Sequence, residues 1–322
     1  MMRMLVVGAG ATGGYFGARL AEAGKDVTFL VRRARAAKLG ETGLQVVSPH
    51  GNITIRPKLV SAGEISEPFD LVVLAVKGFT LDAVVADFAP AVGPETMIVP
   101  LLNGMRHVDL LKARFGARAV LGGVCHIAAM LDSEGRVVQI AKFQDLLYGE
   151  MNGQASARAE RLDHAMQGAG FEARLSRTIE QDMWDKWITL ATLGGVTCLM
   201  RGTIGEIEAA PGGAAFAGAF LDEAVAIARA AGHPPSEEFI TATRRMVTAK
   251  GSNAASSMYR NLTEGLPVEA EQIIGDLIGR GRVAAVQAPL LAAAFTHLSV
   301  YQARRQRERE AGSGFVAARS NP

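Results

Sequence analysis

Short apolar runs alternate with amphipathic segments through the first half of the chain. Aliphatic runs at residues 4–7, 27–31, 71–76 and 97–101 are typical of buried parallel strands. Segments 12–23, 81–88 and 108–115 carry apolar residues at spacings of three and four, which predicts helices between these strands. Residues 44–46 and 53–55 flank a turn and predict a hairpin inserted in the sheet. The alternation predicts an α/β fold with a doubly wound parallel sheet.

The pattern changes near residue 179 to long helices without intervening strands. Glycine and proline interrupt these helices at residues 194–195, 211–213, 232–235 and 265–267. We therefore expect an N-terminal domain at 1–177, an all-helical domain at 178–310 and a flexible tail at 311–322. The arginine-rich stretch 304–309 includes Glu308 and indicates a solvated helix end rather than a binding patch.

Length and charge narrow the class of protein. A chain of 322 residues is longer than one hydrophobic core usually grows, so we expect two domains that share a cleft. Lysine and arginine number 34 against 32 acidic residues, and this balance argues against nucleic-acid or anionic-membrane partners. The longest uncharged apolar stretch, 188–200, is shorter than the ~20 residues that cross a bilayer.

The two cysteines and the N-terminus indicate the compartment. Cys125 and Cys198 lie far apart in apolar surroundings, which favours buried reduced thiols over a disulfide or a metal site. A core strand begins within the first residues, so we expect no signal peptide. These features predict a cytosolic protein.

A glycine-rich turn joins the first predicted strand to the first helix. Its sequence fits G-x-G-x-x-G, with the residues Gly8, Ala9, Gly10, Ala11, Thr12 and Gly13. In this setting the first glycine permits a tight turn, the second lets the backbone approach a pyrophosphate, and the third allows close helix packing. The helix N-terminus attracts the phosphates. We therefore predict a Rossmann-type dinucleotide site; the alternative is a merely structural glycine turn.

Arg32 follows the second predicted strand, where an NAD-selective fold would place an acidic residue on the ribose 2′-hydroxyl. A carboxylate there would repel a 2′-phosphate, whereas a guanidinium pairs with it. Arg32 therefore favours NADP(H), and the alternative is a surface arginine at a helix start. Lys77 follows another apolar strand at the ligand-binding edge, where it either approaches the cofactor or simply enters solvent.

Lys186 stands out at the beginning of an otherwise apolar helix that opens the second domain. A lysine at the edge of a buried helix is able to donate a proton to a carbonyl that is receiving hydride. Taken alone, a surface lysine with its stem along the helix is the competing interpretation.

An ordered set of motifs resembles the ketopantoate reductase (2-dehydropantoate 2-reductase) family over nearly the whole chain. The motifs are the glycine loop, Ala75-Val76-Lys77, Leu102-Asn103-Gly104-Met105, Trp184-Asp185-Lys186, Ser256-Ser257-Met258 and Glu269-Ala270-Glu271-Gln272-Ile273-Ile274-Gly275. The spacing between Ser257 and Glu269 also matches the family. The resemblance implies reduction of a 2-oxo acid with NADPH, a step of pantothenate biosynthesis when the substrate is 2-dehydropantoate.

The resemblance also assigns roles to individual residues. It implies Lys186 as the general acid and Glu269 as the carboxylate that orients the lysine and the substrate. It implies Asn103 as a polar contact to substrate near the nicotinamide and Ser257 as a contact to the substrate carboxylate. Asn103 and Glu269 are also expected to border the cofactor. For Glu269 alone, the competing interpretation is a solvated helix carboxylate.

Two positions depart from the family pattern. The family's lysine helix carries asparagines four and eight residues after the lysine, where this chain has Leu190 and Gly194. Residues four apart share a helix face, so the substrate pocket beside Lys186 should be less polar, with Leu190 as a substrate contact. Ketopantoate or a related 2-oxo acid remains the expected substrate. The alternative is a non-catalytic NADPH-binding sensor, and a homodimer is one alternative for the assembly.

Overall fold

The computed structural model describes residues 1–319, with side chains described through residue 311. The elements of the first part are β1 (Arg3–Val7), α1 (Ala11–Glu22), β2 (Asp26–Leu30), α2 (Arg33–Thr42), β3 (Leu44–Val47), β4 (Ile53–Ile55), β5 (Lys58–Val60), β6 (Leu71–Leu74), α3 (Leu81–Phe88), β7 (Met97–Pro100), α4 (Arg106–Phe115), β8 (Gly122–Leu131), β9 (Val137–Gly149), α5 (Ala157–Met166) and β10 (Glu172–Leu175). Helices follow: α6 (Ile179–Met200), α7 (Ile204–Ala209), α8 (Gly213–Ala230), α9 (Glu237–Val247), α10 (Ser257–Thr263), a π-helix (Glu271–Gly275), α11 (Asp276–Val283) and α12 (Pro289–Arg319).

A five-stranded parallel sheet forms the centre of the first compact unit, Met1–Met183, in the order β5-β2-β1-β6-β7. Every residue of β6 and β7 is buried, as expected for strands covered on both faces. The strand order reverses on either side of β1, and ligands bind at such a point in open α/β sheets. The predicted doubly wound sheet is therefore confirmed.

A second sheet in the same unit was not predicted. It has the order β10-β9-β3-β4, and β8 pairs with β9. The predicted hairpin forms as β3 and β4, but it belongs to this second sheet, so its predicted place in the first sheet is wrong. The burial of β3 alternates along the strand, and this alternation fits a sheet with one covered face rather than the fully buried first sheet.

The second compact unit, Trp184–Pro322, contains only helices among the residues that the structure describes. α8 packs against α7, α9, α11 and α12 through a buried stripe that includes Phe220, Leu221 and Ile227. The all-helical character predicted for this part of the chain is confirmed. Within residues 1–319, no helix combines the length and the apolar character needed to cross a membrane.

The division between the units falls inside α6, and the predicted boundary after residue 177 lies just before this helix begins. At the other end, α12 runs to Arg319 and so extends into the segment predicted as a flexible tail. The last three residues of that predicted tail, 320–322, lie outside the described residues, and the flexibility of the segment stays a prediction. Cys125 and Cys198 are both buried thiols.

Candidate active site

The glycine loop connects β1 to α1, and its geometry requires glycine at two positions. Gly8 has φ +97°, and a Cβ there would lie 2.8 Å from the carbonyl oxygen of Ala75. A Cβ on Gly13 would lie 2.1 Å from the carbonyl oxygen of Gly8, well inside van der Waals contact. The close approach of α1 to the loop therefore excludes any side chain at Gly13, in agreement with the roles expected for these glycines.

Gly10 differs from its two neighbours in the motif, because a Cβ there would meet no atom within 4 Å. The protein itself thus leaves open space beside the backbone that begins α1. The first backbone N–H groups of a helix have no acceptor within the helix and bind anions. Open space beside these donors fits the pyrophosphate of a dinucleotide.

The strand register brings the other N-terminal candidates to the same edge of the first sheet. Val7 of β1 pairs with Leu30 of β2 and with Leu74 of β6, and Leu74 pairs in turn with Pro100 of β7. The glycine loop, Arg32, Lys77 and Asn103 each follow one of these strands within three residues. Parallel strands end together, so these residues lie along the carboxyl edge of the sheet.

Arg32 is exposed and occupies the residue before α2. Within the part of the chain that the structure describes, no hydrogen bond or ion pair involves its guanidinium. Lys77 is also exposed and leads into a short 3₁₀ turn, whereas Asn103 is half-buried between Leu102 and Met105. The described geometry therefore leaves the Arg32 charge available to an anion at the sheet edge.

Arg35 is a residue of this edge that the sequence did not reveal. One of its terminal nitrogens donates to the carbonyl oxygens of Ala9, at 3.2 Å, and of Gly135, at 3.0 Å. Burial lowers the pKa of the Arg35 guanidinium from its usual value. Arg35 therefore ties α2 to the glycine loop and to the turn between β8 and β9. Its position one turn after Arg32 was the available signal.

In the helical unit, Lys186 is half-buried on α6 and stands between two buried tryptophans, Trp184 and Trp187. The two indole rings are 4.9 Å apart, and the ring of His233 stacks on Trp184 at 4.7 Å. The guanidinium of Arg280 lies over both indoles. This packing fixes the helix surface from which the Lys186 side chain projects.

Glu269 and Ser257 differ in exposure. Glu269 is 6% exposed and lies two residues before the π-helical turn, so it is not the solvated carboxylate of the competing interpretation. Ser257 is exposed at the first position of α10. The preceding residue, Ser256, caps α10 by accepting the N–H of Tyr259 at 2.9 Å and shares a hydrogen bond with Thr197 of α6. Ser256 thus joins the start of α10 to α6.

The two departures from the family pattern lie on the same face of α6 as Lys186. Leu190 is half-buried, and Gly194 is buried. A Cβ on Gly194 would lie 2.6 Å from the terminal methyl of Met258, so this methyl occupies the direction in which a side chain would project. An aliphatic side chain and a thioether thus stand where amide groups were expected, and this stretch of α6 is apolar.

Replacing Gly10 with alanine should lower dinucleotide affinity without loss of fold. The new methyl meets no protein atom within 4 Å, but it would enter the space beside the N–H groups that we expect to bind the phosphates. Charge-assisted hydrogen bonds contribute roughly 1.5–3 kcal/mol each. We therefore expect the dissociation constant of the dinucleotide, measured by fluorescence titration, to be at least about tenfold higher in Gly10→Ala than in the parent.

Gly40→Ala is the matched control, because a Cβ at this helical position of α2 also meets nothing within 4 Å. Neither variant should lower the melting temperature, and Gly40→Ala should raise it slightly because alanine favours the helix over glycine. Equal cofactor affinity in Gly10→Ala and Gly40→Ala would rule out the glycine loop as the pyrophosphate site.

Comparisons with known proteins identify relatives of both units. Residues 4–153 match the model of the family described as ketopantoate reductase PanE/ApbA, and residues 178–302 match that of its C-terminal domain. An uncharacterized oxidoreductase of Bacillus subtilis, YkpB, is 36% identical over 94% of this chain and 100% of its own length.

Solved structures share the fold. The crystal structure of 2-dehydropantoate 2-reductase from Geobacter metallireducens aligns with a TM-score of 0.83 at 27% identity, over 92% of this chain and 99% of that one. The ternary structure of a D-mandelate dehydrogenase aligns with a TM-score of 0.85 over 95% and 100% of the two chains. Its 20% identity supports similarity of fold alone.

Proposed function

The chain belongs to the ketopantoate reductase family of oxidoreductases, and we propose that it uses NADPH to reduce a 2-oxo acid, 2-dehydropantoate or a related compound, to the 2-hydroxy acid. The observation that carries this proposal is the carboxyl edge of the first sheet. There the glycine loop offers open space beside helix N–H groups, and Arg32, Lys77 and Asn103 follow the neighbouring strands. Initial rates of NADPH oxidation with a set of 2-oxo acids test it.

The proposed chemistry consists of a hydride transfer and a proton transfer. When bound, NADPH supplies the hydride that adds to the keto carbon. The carbonyl oxygen then gains the electron pair of the C=O π bond, and the Lys186 ammonium stabilises this developing alkoxide and donates its proton to it. Glu269 keeps the ammonium in place, Ser257 binds the substrate carboxylate, and Asn103 contacts the substrate beside the nicotinamide. One 2-hydroxy acid and one NADP⁺ form in each turnover.

We assign the NADP(H) preference to Arg32, and replacing it with alanine should narrow the affinity gap between NADPH and NADH. A guanidinium that pairs with the 2′-phosphate discriminates against a cofactor without that phosphate by roughly tenfold or more. Arg161→Ala is the control, since it removes an exposed arginine of α5 in the same unit. Titration of the parent, Arg32→Ala and Arg161→Ala with NADPH and with NADH measures the difference in affinity between the two cofactors.

NADH is the competing cofactor in this test, because the D-mandelate dehydrogenase that shares the fold was solved with NADH and anilino(oxo)acetate. Equal affinity of the parent protein for NADPH and NADH would contradict the assignment of Arg32.

We also propose that the substrate side chain meets an apolar surface. Leu190, one helical turn from Lys186, is half-buried and has no side-chain amide, and Gly194, two turns from Lys186, is buried against the Met258 methyl. A 2-oxo acid with an aliphatic or aromatic side chain suits this surface better than one with a hydroxyl group, because a buried hydroxyl without a partner costs free energy. Cytosolic location and a homodimeric assembly stay predictions.

A further inference from the structure

Trp187 connects the helix that carries Lys186 to the segment that carries Glu269. The indole is 1% exposed, and its Nε1–H donates to the carbonyl oxygen of Ile273 at 2.8 Å. The backbone N–H of Ile273 in turn donates to the carbonyl oxygen of Glu269 at 3.0 Å. Two hydrogen bonds therefore lead from the residue next to Lys186 to the backbone of Glu269.

The acceptor of the indole lies in an unusual piece of backbone. Residues Glu271–Gly275 form a π-helix, which continues directly into α11. A π-helical turn holds one more residue than an α-helical turn, and such turns are found frequently at functional sites. One residue of difference rotates the preceding side chains by about 100° around the helix axis. Glu269 lies two residues before this turn and accepts a backbone hydrogen bond from it, so the course of the π turn affects where the Glu269 backbone is held.

Buried backbone carbonyls need a donor, and the Ile273 carbonyl obtains one from Trp187. The indole is itself held in place by Trp184 at 4.9 Å and by the Arg280 guanidinium at 5.4 Å. Arg280 belongs to α11, where its Nε also donates to Asp276 at 3.2 Å. The ring that donates to the π turn is therefore clamped by the helix that follows this turn.

We propose that Trp187 is a positioning residue, whose indole N–H fixes the π turn and thereby the placement of Glu269 relative to Lys186. This inference rests on the proposed roles of Lys186 and Glu269. Misplacement of a catalytic group by about 1 Å costs on the order of 10² in rate. Loss of the indole donor should therefore act on the chemical step rather than on cofactor binding.

Trp187→Phe tests the inference, because it keeps an aromatic ring and removes the N–H. We expect kcat to fall by roughly 10–10², with the dissociation constant of NADPH unchanged. Tyr148→Phe is the control for loss of a buried hydrogen bond, since Tyr148 is fully buried and its hydroxyl donates to Asp163 at 2.7 Å. Tyr148→Phe should lower the melting temperature but leave kcat near that of the parent.

A double-mutant cycle with Glu269→Gln separates positioning from general loosening of the fold. If Trp187 acts through Glu269, Trp187→Phe should lower kcat much less in the Glu269→Gln background than in the parent. The proposal would be overturned if the loss of kcat in the double variant equalled the product of the losses in the two single variants. It would also be overturned if Trp187→Phe lost NADPH affinity in parallel, or if its kcat equalled that of Tyr148→Phe.

Replacement of Trp187 by benzothienylalanine keeps the bicyclic shape and exchanges only the N–H for sulfur, which covers the case in which Trp187→Phe does not fold. The same loss of kcat is expected, and parent activity would overturn the proposal. Lys186→Ala, measured in parallel, distinguishes failure of the proposed roles at the site from failure of the inference about Trp187. Absence of NADPH oxidation by the parent with every 2-oxo acid defeats the proposed function, and unchanged kcat in Lys186→Ala defeats the role proposed for Lys186. A low kcat in Lys186→Ala with parent-like Trp187 variants defeats only this inference.

Discussion

Replacing Lys186 with alanine should lower kcat by at least about 10² and leave the affinity for NADPH almost unchanged. A positioned general acid contributes ~10²–10⁴ in rate, and stabilisation of the developing alkoxide adds to this. The cofactor affinity should persist because the residues that we propose to hold the phosphates, the glycine loop and Arg32, belong to the other unit. Lys186 is half-buried on a helix whose neighbouring positions 184 and 187 are buried tryptophans, so the backbone that carries the proposed donor is firmly packed.

The measurement is steady-state kcat with the best 2-oxo acid, together with NADPH titration and the melting temperature of each protein. Lys250→Ala is the control, because Lys250 is an exposed lysine of the same unit. Glu269→Gln should give a smaller loss in the same direction, since the proton donor itself remains. Near-parent kcat in Lys186→Ala, with fold and NADPH binding intact, would establish the surface-lysine interpretation instead.

The second large effect concerns the substrate. A 2-oxo acid with an apolar side chain should exceed ketopantoate in kcat/KM by roughly 10–10², the range over which an apolar pocket rejects an added hydroxyl. The reason is the face of α6 that carries Lys186. On this face Leu190 and Gly194 have no side-chain amide, and the Met258 methyl lies against Gly194.

The double variant Leu190→Asn, Gly194→Asn should raise kcat/KM for ketopantoate and lower it for the apolar substrate. The asparagine at 194 requires movement of the Met258 methyl, which is the flexible end of its side chain. Leu266→Asn places an asparagine at an exposed position of the same unit and should change neither value. Ketopantoate as the best substrate of the parent in a broad set would show that the departures at 190 and 194 have no effect on specificity.

Much of the first sheet was predictable because its strands are short, apolar and buried. The predicted runs 4–7 and 97–101 correspond to Arg3–Val7 and Met97–Pro100. The long strands β8 and β9 escaped prediction because polar residues, His126 in β8 and Gln139 and Gln144 in β9, interrupt their apolar pattern. The hairpin at β3 was predicted, but its pairing with β9 joins residues some 90 positions apart, which local patterns do not encode.

The candidate site shows the same limit. The glycine loop, Arg32 and Lys186 are visible in the sequence because each stands at a characteristic place relative to a strand or helix. Trp187 is not visible, since its importance depends on a hydrogen bond to Ile273, 86 residues further along the chain. Arg35 likewise acquires its position from the fold, through contact with Ala9.

Transfer of deuterium from NADPH that carries deuterium in both hydrogen positions of C4 to the substrate tests the central claim most directly. The parent protein, labelled NADPH and a set of 2-oxo acids are incubated, and the products are analysed by mass spectrometry. We predict a 2-hydroxy acid with one deuterium at C2 and one NADP⁺ formed for each product molecule, with an apolar 2-oxo acid reacting fastest. Absence of labelled product from every 2-oxo acid, while NADPH binds tightly, would contradict the claim and indicate an NADPH-binding sensor.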